Sequence, residues 1–436
     1  MNSKASFKNI LNLSIPIFFA NLAIPLVGIV DTGLMGNLDN SSYLTATSIS
    51  SSLFSMIFWS FGFLRMGTVG MIAQSYGSKK YNEILDLVIR NICFVIVISI
   101  ILILLQQYIL NLSLQIFELS NDTEEYFKDY YKIRIYSSFG ELTIYVITGL
   151  FIGLQKTKIS SLAVGFFSIS NIIFSLYFVL YLNLNVKGVA LGTLVSSILT
   201  SFIFLIYTFY ELKKITKINI NISRIFNFIE IKKIFNINFN IFIRSVLLTF
   251  SFLFFTYMGN KISEEVVAAN TILINLIFLS AFILDAYAFS TEGIVGYSLG
   301  SKNTKLLKDV IKNSFILSAS TGLLISLIYF FGKDYFISWM TNISNVKTIS
   351  LSYSYWVVII PFISSFCYQF DGIFVGASQT KELRNAMIIS VFIFIISSFF
   401  LIKNLNNLGL WISFSIFIIV RALTLFAYLG RVYKRI

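Results

Sequence analysis

The stretch GLFIGLQKTK, residues 149–158, recurs as GIFVGASQTK at residues 372–381. The same shift of 223 positions, made without a gap, superimposes two further motifs: MGN, Met35 on Met258, and GSK, Gly77 on Gly300. A constant offset over such a length indicates that the chain contains two copies of one unit.

The composition predicts that both copies lie in a membrane. The chain of 436 residues is 57% hydrophobic and 12% charged, its mean hydropathy is +0.82, and apolar windows of about 20 residues recur throughout. We therefore predict an all-α, polytopic membrane protein. Its twelve transmembrane helices are expected at residues 10–34, 45–73, 87–110, 131–153, 158–182, 188–210, 234–258, 266–296, 310–332, 350–376, 385–402 and 408–430.

The duplication predicts how the spans are organised. Six spans per copy, an even number, would place both copies the same way up, as two six-helix lobes related by a pseudo-twofold axis along the membrane normal. We expect an N-terminal lobe at 1–210, a cytoplasmic linker at 211–233 and a C-terminal lobe at 234–436. Transporters built from such repeats bind their substrate between the halves.

The basic residues predict the orientation. Lysine and arginine are most numerous in the loops on the side of both termini, so we expect cytoplasmic termini and a multi-pass protein of the cell (inner) membrane. The formal charge of +13 is distributed among these loops, so it favours the lipid bilayer as partner and not nucleic acid.

Several chemistries are disfavoured by the residue content. Histidine is absent, and the two cysteines, Cys93 and Cys367, stand in apolar surroundings, so we expect no metal site, disulfide framework or cofactor. A membrane-embedded transferase or hydrolase would need a nucleophile and a base, and no such pair is recognisable, so we predict that the protein is not an enzyme. Carboxylates remain as the groups able to exchange protons.

Two acids stand out within the apolar spans. Asp31 directly follows the apolar run at residues 10–30, and Asp371 lies in the tenth span. In the repeat, Asp31 aligns with Phe254 and Asp371 with Thr148, so the charges differ between the copies. Each acid has a simpler interpretation: Asp31 as an exposed residue at a helix end, and Asp371 as the partner of a neighbouring charge.

Proline occurs only in the two spans that carry these acids. Pro16 and Pro25 precede Asp31, and Pro361 precedes Asp371. A proline inside a helix removes one hydrogen bond and kinks the helix. We therefore predict helix hinges at Pro25 and Pro361.

Further polar residues within the spans are candidates for a cation or substrate site, because burying a charge in a bilayer costs about 2.5 to 3.5 kcal/mol. Alternatively, Arg65 extends to the membrane surface, and Asp285 and Glu292, which share one face of span 8, form structural ion pairs. Together with Asp371, the candidates are Asp285, Glu292, Asn171, Glu141 and Arg65.

Four stretches together resemble the DinF-like branch of the multidrug and toxic compound extrusion (MATE) family: GIVDTGLMGNL, FLRMGTVGMIAQSYGSK, LDAYAFSTEGIVGYSLGSKN and QFDGIFVGASQTKELRNAM. The resemblance implies alternating access between two lobes, and export of organic cations driven by proton or sodium entry. It also implies that Asp31 is the ion-coupling carboxylate and that span 1 bends when Asp31 is protonated. In span 5 the family has Asn followed four residues later by Asp, but here Asn171 is followed by Ser175.

Taken together, these features predict a secondary active antiporter that exports organic cations or other amphipathic compounds, with protons favoured over sodium as the coupling ion. We expect a monomer. A sodium-coupled exporter and a flippase for lipid-linked precursors remain as alternatives. A flippase would be expected to have a basic cavity, whereas the arginines Arg65, Arg244 and Arg421 are scattered along the sequence. A passive channel is disfavoured by the duplication.

Overall fold

A computed structural model describes residues 5–38, 40–217 and 220–436. Within this part, eleven helical segments are long and apolar enough to cross a bilayer. The last of them, Thr380–Tyr433, has 54 residues. An unbroken helix of that length would measure about 81 Å, against a hydrocarbon core of about 30 Å. Because Asn406 interrupts it with φ 48° and ψ −128°, it supplies two spans. The predicted all-α, multi-pass architecture of twelve transmembrane helices is confirmed.

The α-helices are numbered in chain order. Those of the first half are α1 (Phe7–Gly36), α2 (Ser41–Ser60), α3 (Phe63–Gly77), α4 (Tyr81–Leu104), α5 (Gln106–Phe117), α6 (Asn121–Arg134), α7 (Ser138–Gly153), α8 (Thr157–Leu176) and α9 (Asn185–Lys213). After the short α10 (Ile222–Ile225) come α11 (Phe228–Asn260), α12 (Glu264–Gly300), α13 (Thr304–Met340), α14 (Ser344–Tyr353), α15 (Tyr355–Gly376) and α16 (Thr380–Tyr433).

Several spans of the first half are composed of more than one helical piece. The second span consists of α2 and α3, which are separated at Phe61 and Gly62. The fourth consists of α6 and α7, joined by a 3₁₀ turn at Ile135–Ser137. The fifth continues from α8 into a π-helical segment at Tyr177–Tyr181. Such irregular turns often mark functional sites within helices.

The chain forms two compact units. The N-unit is Phe19–Ile234, and the C-unit contains Phe235–Ile436 together with the described residues up to Phe18. The first turns of α1 therefore belong to the C-unit, where the Ser14 and Ser290 hydroxyls share a hydrogen bond of 2.8 Å. The boundaries at residues 210 and 233 stay predictions.

The linker segment is attached to α4 of the N-unit. The Arg90 Nε donates to the Ile225 carbonyl at 2.8 Å, and the Arg224 Nη2 donates to the Asp86 carboxylate at 3.0 Å. The C-terminal end of α10 is thereby held. Residues 218 and 219 of the predicted linker lie outside the described part of the chain.

The duplication is visible in helix packing. A Cβ atom on Gly149 would lie 2.7 Å from the Arg65 carbonyl oxygen, and one on Gly372 would lie 2.5 Å from the Ala288 carbonyl oxygen. Both residues of the second pair follow those of the first by 223 positions. The contact pairs α3 with α7 in the N-unit and α12 with α15 in the C-unit. Small residues at these points allow the two backbones to approach, as is usual for helices in membranes.

The turns repeat as well. A positive φ angle recurs at the same offset in the pairs Lys79 and Lys302, Gln155 and Ser378, and Asn183 and Asn406. The GSK motifs lie at two of these turns. Gly77 and Gly300 are the last helical residues, whereas the lysine two positions later has the positive φ.

Aromatic residues fill the core of the C-unit. Phe255 contacts Trp411 and Phe414 with ring-centroid separations of 4.9 and 5.1 Å. The Trp411 Nε1 donates to the Asn270 side chain at 2.9 Å, and Asn270 also exchanges hydrogen bonds with Asn407. These aromatic side chains therefore contribute to the packing of the C-unit core.

Candidate functional site

Asp31 lies inside a helix and inside the protein. Helix α1 continues to Gly36, five residues beyond Asp31, and the Asp31 side chain belongs to the N-unit. The residue is 8% exposed, and its Oδ1 has no hydrogen-bond partner among the described residues. The interpretation of Asp31 as an exposed residue at a helix end is therefore wrong. A carboxylate in this position must lose most of its hydration when it is ionised.

A chain of hydroxyl and amide side chains leads from this carboxylate to α8 and α9. The Ser175 hydroxyl lies within hydrogen-bonding reach of Asp31, and it also donates to the Asn171 Oδ1 at 3.3 Å. The Asn171 Nδ2 donates in turn to the Thr193 Oγ1 at 2.9 Å. The structure thus brings the predicted site residues Asp31 and Asn171 together through Ser175, at the position where the family pattern has Asp.

Close backbone packing holds this cluster in place. A Cβ on Gly192 would lie 2.5 Å from the Ser175 Oγ and 2.7 Å from the Ser175 backbone nitrogen. Helix α9 therefore approaches α8 directly beside the serine. The π-helical segment begins at Tyr177, immediately after the end of α8.

A buried ion pair lies near the cluster. Arg134, at the end of α6, pairs with Glu141 in α7, and the same guanidinium donates to the Ser137 hydroxyl between them. The guanidinium carbon also lies 5.0 Å from the centre of the Phe58 ring. Asp31 is within electrostatic reach of Arg134. The predicted site residue Glu141 therefore has its charge balanced by an arginine.

Two residues of this region are absent from the sequence-based candidates. Arg134 could have been recognised from the sequence, because it is a charged residue within the predicted span 131–153. Thr193 could not, since Ser and Thr are frequent along α9.

Arg65 lies on α3, where its backbone carbonyl faces Gly149. Its side chain is half-buried, and Arg65, Glu141 and Arg134 all lie within electrostatic reach of Tyr145. Arg65 is therefore part of the charged interior of the N-unit. A role for it in substrate binding stays a prediction.

In the C-unit, Asp371 forms ion pairs with two arginines. Arg244 of α11 and Arg421 of α16 both donate to the Asp371 Oδ2. All three residues are buried, at 9% exposure or less. Two of the arginines that are scattered in sequence thus converge in space. Because its charge is more than balanced locally, Asp371 does not present a net negative site to a cation.

The two acids of α12 lie in different surroundings. Asp285 is half-buried and within electrostatic reach of Cys367 and Tyr368, which face the Asp371 cluster. Glu292 is 2% exposed, and its backbone carbonyl lies against the position that a Cβ on Gly376 would occupy. The backbone of Glu292 is thus a packing position between α12 and α15. A role for either acid in cation handling stays a prediction.

The predicted hinge prolines lie within continuous helices. Helix α1 runs from Phe7 through Pro25 to Gly36, and α15 contains Pro361. The Pro361 carbonyl lies 3.0 Å from the position of a Cβ on Gly322, so α13 packs closely at this proline. Bending at either proline stays a prediction.

Comparison with known proteins places this arrangement in a family. The family model described as MatE matches residues 16–177 and again residues 241–400, one match in each half of the chain. The chain belongs to the MatE family. The two matches agree with the duplication that is seen in the glycine contacts and turns. As a MatE protein, the chain is a membrane transporter and not an enzyme.

Curated relatives resemble nearly all of the chain in one case and about half of it in another. DNA damage-inducible protein F of Escherichia coli (strain K12) is 28% identical over 423 residues, which cover 97% of this chain and 92% of that protein. Multidrug export protein MepA of Staphylococcus haemolyticus is 25% identical over 201 residues, covering 46% of this chain and 44% of that protein.

Solved structures share the fold. An outward-facing multidrug resistance MATE family transporter superimposes with a TM-score of 0.89 at 19% identity, covering 99% of this chain and 97% of that one. A MATE protein in the bent conformation gives the same TM-score at 18% identity, with 98% and 96% coverage.

Proposed function

We propose that this MatE protein is a secondary active antiporter that exports organic cations or other amphipathic compounds in exchange for protons by alternating access. The names of its relatives support export as the activity: the Staphylococcus haemolyticus protein is a multidrug export protein, and a structural neighbour is a multidrug resistance transporter.

One contrast among the buried acids carries the proposal. Glu141 pairs with Arg134, and Asp371 pairs with Arg244 and Arg421. Asp31, in contrast, forms no ion pair among the described residues, and a neutral hydroxyl, that of Ser175, lies within hydrogen-bonding reach of it. A carboxylate that is paired with an arginine has its charge compensated, whereas a buried carboxylate without such a partner is the better candidate to exchange a proton, because an uncompensated charge is costly to bury.

The transport cycle follows from the cost of burying that charge. In the outward-open state, ionised Asp31 would be hydrated and ready to accept a proton. Once neutral, it can remain buried at little cost, and bending of α1 near Pro25 would disfavour bound substrate. Release of the proton to the cytoplasm would restore the charge and allow the next cation to bind.

The surroundings of Asp31 favour protons over sodium. The neighbours Ser175, Asn171 and Thr193 are neutral. A proton neutralises a single carboxylate directly, whereas a sodium ion would need several oxygen ligands around it. Sodium coupling remains the alternative, since hydroxyl and amide oxygens are possible ligands.

A flippase for lipid-linked precursors is supported by one observation, the convergence of Arg244 and Arg421. Asp371 cancels one of these two charges, which leaves a weak attraction for a pyrophosphate. We therefore retain cation export as the proposed function. In the same proposal, the protein acts as a monomer in the cell membrane with both termini in the cytoplasm.

The test is uptake of a fluorescent organic cation into proteoliposomes with a proton gradient and a sodium gradient imposed separately. We expect transport with the proton gradient and its loss in Asp31→Asn, which keeps the shape of the side chain but removes the titrating group. Asp309→Asn, the same change at an exposed acid of α13, should transport at the wild-type rate. Transport driven by sodium alone would contradict proton coupling, and a wild-type rate in Asp31→Asn would contradict the role of Asp31.

A further inference from the structure

The segment between the two halves exposes large apolar side chains outside the spans that the sequence predicts. Five such residues lie within ten positions of the predicted linker at 211–233. Exposed apolar groups are expected on the lipid-facing side of a span, whereas a group of them outside the spans marks an interaction site. The five residues, here called the linker patch, are each between 58% and 75% exposed: Ile220, Ile222, Phe226, Phe228 and Ile229.

The linker patch lies at the membrane end of a span. Helix α11 has 33 residues, so it measures about 50 Å, against a hydrocarbon core of about 30 Å. Glu230, Lys232 and Lys233 occupy its first two turns, and charged side chains avoid the hydrocarbon. Phe228 and Ile229 precede these charges in the chain. They therefore lie at the level of the lipid head groups, where aromatic side chains are frequent in membrane proteins.

The opposite side of the segment is occupied by the protein itself. Ile225 is 2% exposed, and Arg90 of α4 donates to the backbone carbonyls of Ile225 and Arg224. These contacts fix the C-terminal end of α10 against α4. Ile222 and Phe226, within and directly after the same short helix, stay exposed. The segment is therefore held in a position that leaves its linker-patch residues to an external partner.

The charges near the linker patch are predominantly positive. Residues 211–233 contain six lysines or arginines and two glutamates. Lys217 and Lys232 are exposed and form no ion pair among the described residues. The Lys233 Nζ lies 3.9 Å from the Glu230 carboxylate with both side chains exposed, and such pairs bind weakly. Three lysine charges are thus available to an external anion.

We propose that the linker patch and these three lysines form a binding surface for anionic phospholipids of the adjacent membrane leaflet. The apolar side chains insert among the head groups, and Lys217, Lys232 and Lys233 pair with lipid phosphates. Bulky apolar residues together with basic residues are the combination that an anionic lipid surface attracts. A soluble protein is the alternative occupant, but the segment is joined directly to two spans, so the lipid surface is always within its reach. The inference does not depend on the coupling ion.

The experiment measures how fast a membrane-impermeant maleimide labels Phe226→Cys in the full-length protein. The protein is reconstituted into nanodiscs of phosphatidylcholine alone, or of phosphatidylcholine with added phosphatidylglycerol. Wild type is the blank, because Cys93 lies within a span and Cys367 is buried. We expect the anionic lipid to slow labelling by about fivefold or more, since even one basic residue near an anionic surface contributes an attraction of that size.

The contribution of charge is tested by removing the three lysines. Labelling of Phe226→Cys in this background should become insensitive to the anionic lipid. The control removes the same amount of charge from exposed lysines of α13 and should keep the slow labelling. Because all six side chains are exposed, the fold should tolerate both changes. The two triple variants are Lys217→Gln/Lys232→Gln/Lys233→Gln and, as control, Lys305→Gln/Lys308→Gln/Lys312→Gln.

A second measurement needs no lysine variant. High salt screens charges at a surface, so it should remove the difference between the two kinds of nanodisc. Equally slow labelling in both kinds, unaffected by salt or by loss of the lysines, would overturn the recognition of anionic lipid. Equally fast labelling in both would overturn membrane contact altogether and leave the linker patch to a protein partner.

Discussion

The N-unit and the C-unit share a backbone plan but arrange charge differently. Both pack a glycine of one helix against a backbone carbonyl of another, Gly149 on Arg65 and Gly372 on Ala288. Within that common frame, the C-unit balances Asp371 with two arginines. In the N-unit, Asp31 forms no ion pair among the described residues; the Ser175 hydroxyl lies within hydrogen-bonding reach of it, and Arg134 lies within electrostatic reach. Packing follows the duplication, whereas the charges differ between the copies; in the proposed function, Asp31 couples transport and Asp371 is structural.

The largest effect on stability is expected at the acid with two arginine partners. Asp371→Asn leaves Arg244 and Arg421 buried beside each other without a counter-charge, so we expect the free energy of unfolding to fall by about 3–5 kcal/mol. Thermal or denaturant unfolding in detergent measures it, with Asp309→Asn as control. A stable Asp371→Asn with weakened cation transport would instead support Asp371 as part of a cation site.

The glycine contacts that the two units share should be equally sensitive to an added methyl group, with a similar loss of stability in both units. Gly149→Ala and Gly372→Ala each place a methyl group within 3 Å of a backbone carbonyl, which should cost about 1–3 kcal/mol. Gly28→Ala is the control, because a Cβ there has nothing within 4 Å. It should be neutral or slightly stabilising, since alanine favours helix. Unequal losses in the free energy of unfolding would argue against the structural equivalence of the two glycine contacts.

The linker segment is attached to α4 of the N-unit, and the repeat predicts no equivalent attachment in the C-unit. Asp86→Asn removes the charge that holds Arg224, and we expect a cost of about 1 kcal/mol because Arg224 is partly exposed. Trypsin should then cleave after Arg224 several times faster in folded protein. Glu83→Gln changes an exposed pair with Lys80 on the same helix and should leave the cleavage rate unchanged. Cleavage of Asp86→Asn at the wild-type rate would show that Arg90 alone holds the segment.

The smallest effect on stability is expected at Asp31. Asp31→Asn removes a buried acid that forms no ion pair among the described residues. The free energy of unfolding should therefore change by less than about 1 kcal/mol, although transport is lost. The same unfolding assay compares it directly with Asp371→Asn. A loss of several kcal/mol would mean that Asp31 is a structural anion like Asp371.

Much of the fold could be predicted because it depends on local patterns. Apolar length predicts the spans, and the constant offset predicts that Gly149 and Gly372 occupy equivalent places. The GSK turns show the limit of such patterns, since the lysine and not the glycine has a positive φ in both turns. A lysine in this conformation gives no sequence signal of the kind that glycine gives.

The site was predictable only in part. Asp31 is conspicuous because it is a charge after an apolar run. Its neighbours Ser175 and Thr193 are ordinary residues whose role depends on how α8 and α9 pack. The pairing of Asp371 with Arg244 joins residues separated by 127 positions, a contact that only the tertiary structure reveals.

The central claim is that one carboxylate, Asp31, exchanges a proton against substrate. Its most direct test is proton release when an organic cation binds to purified protein in weakly buffered detergent solution, followed with a pH-sensitive dye near neutral pH. The account predicts that binding releases up to one proton per molecule in wild type and in Asp309→Asn, and none in Asp31→Asn. Undiminished proton release from Asp31→Asn, or cation binding by wild type without any release, would contradict it.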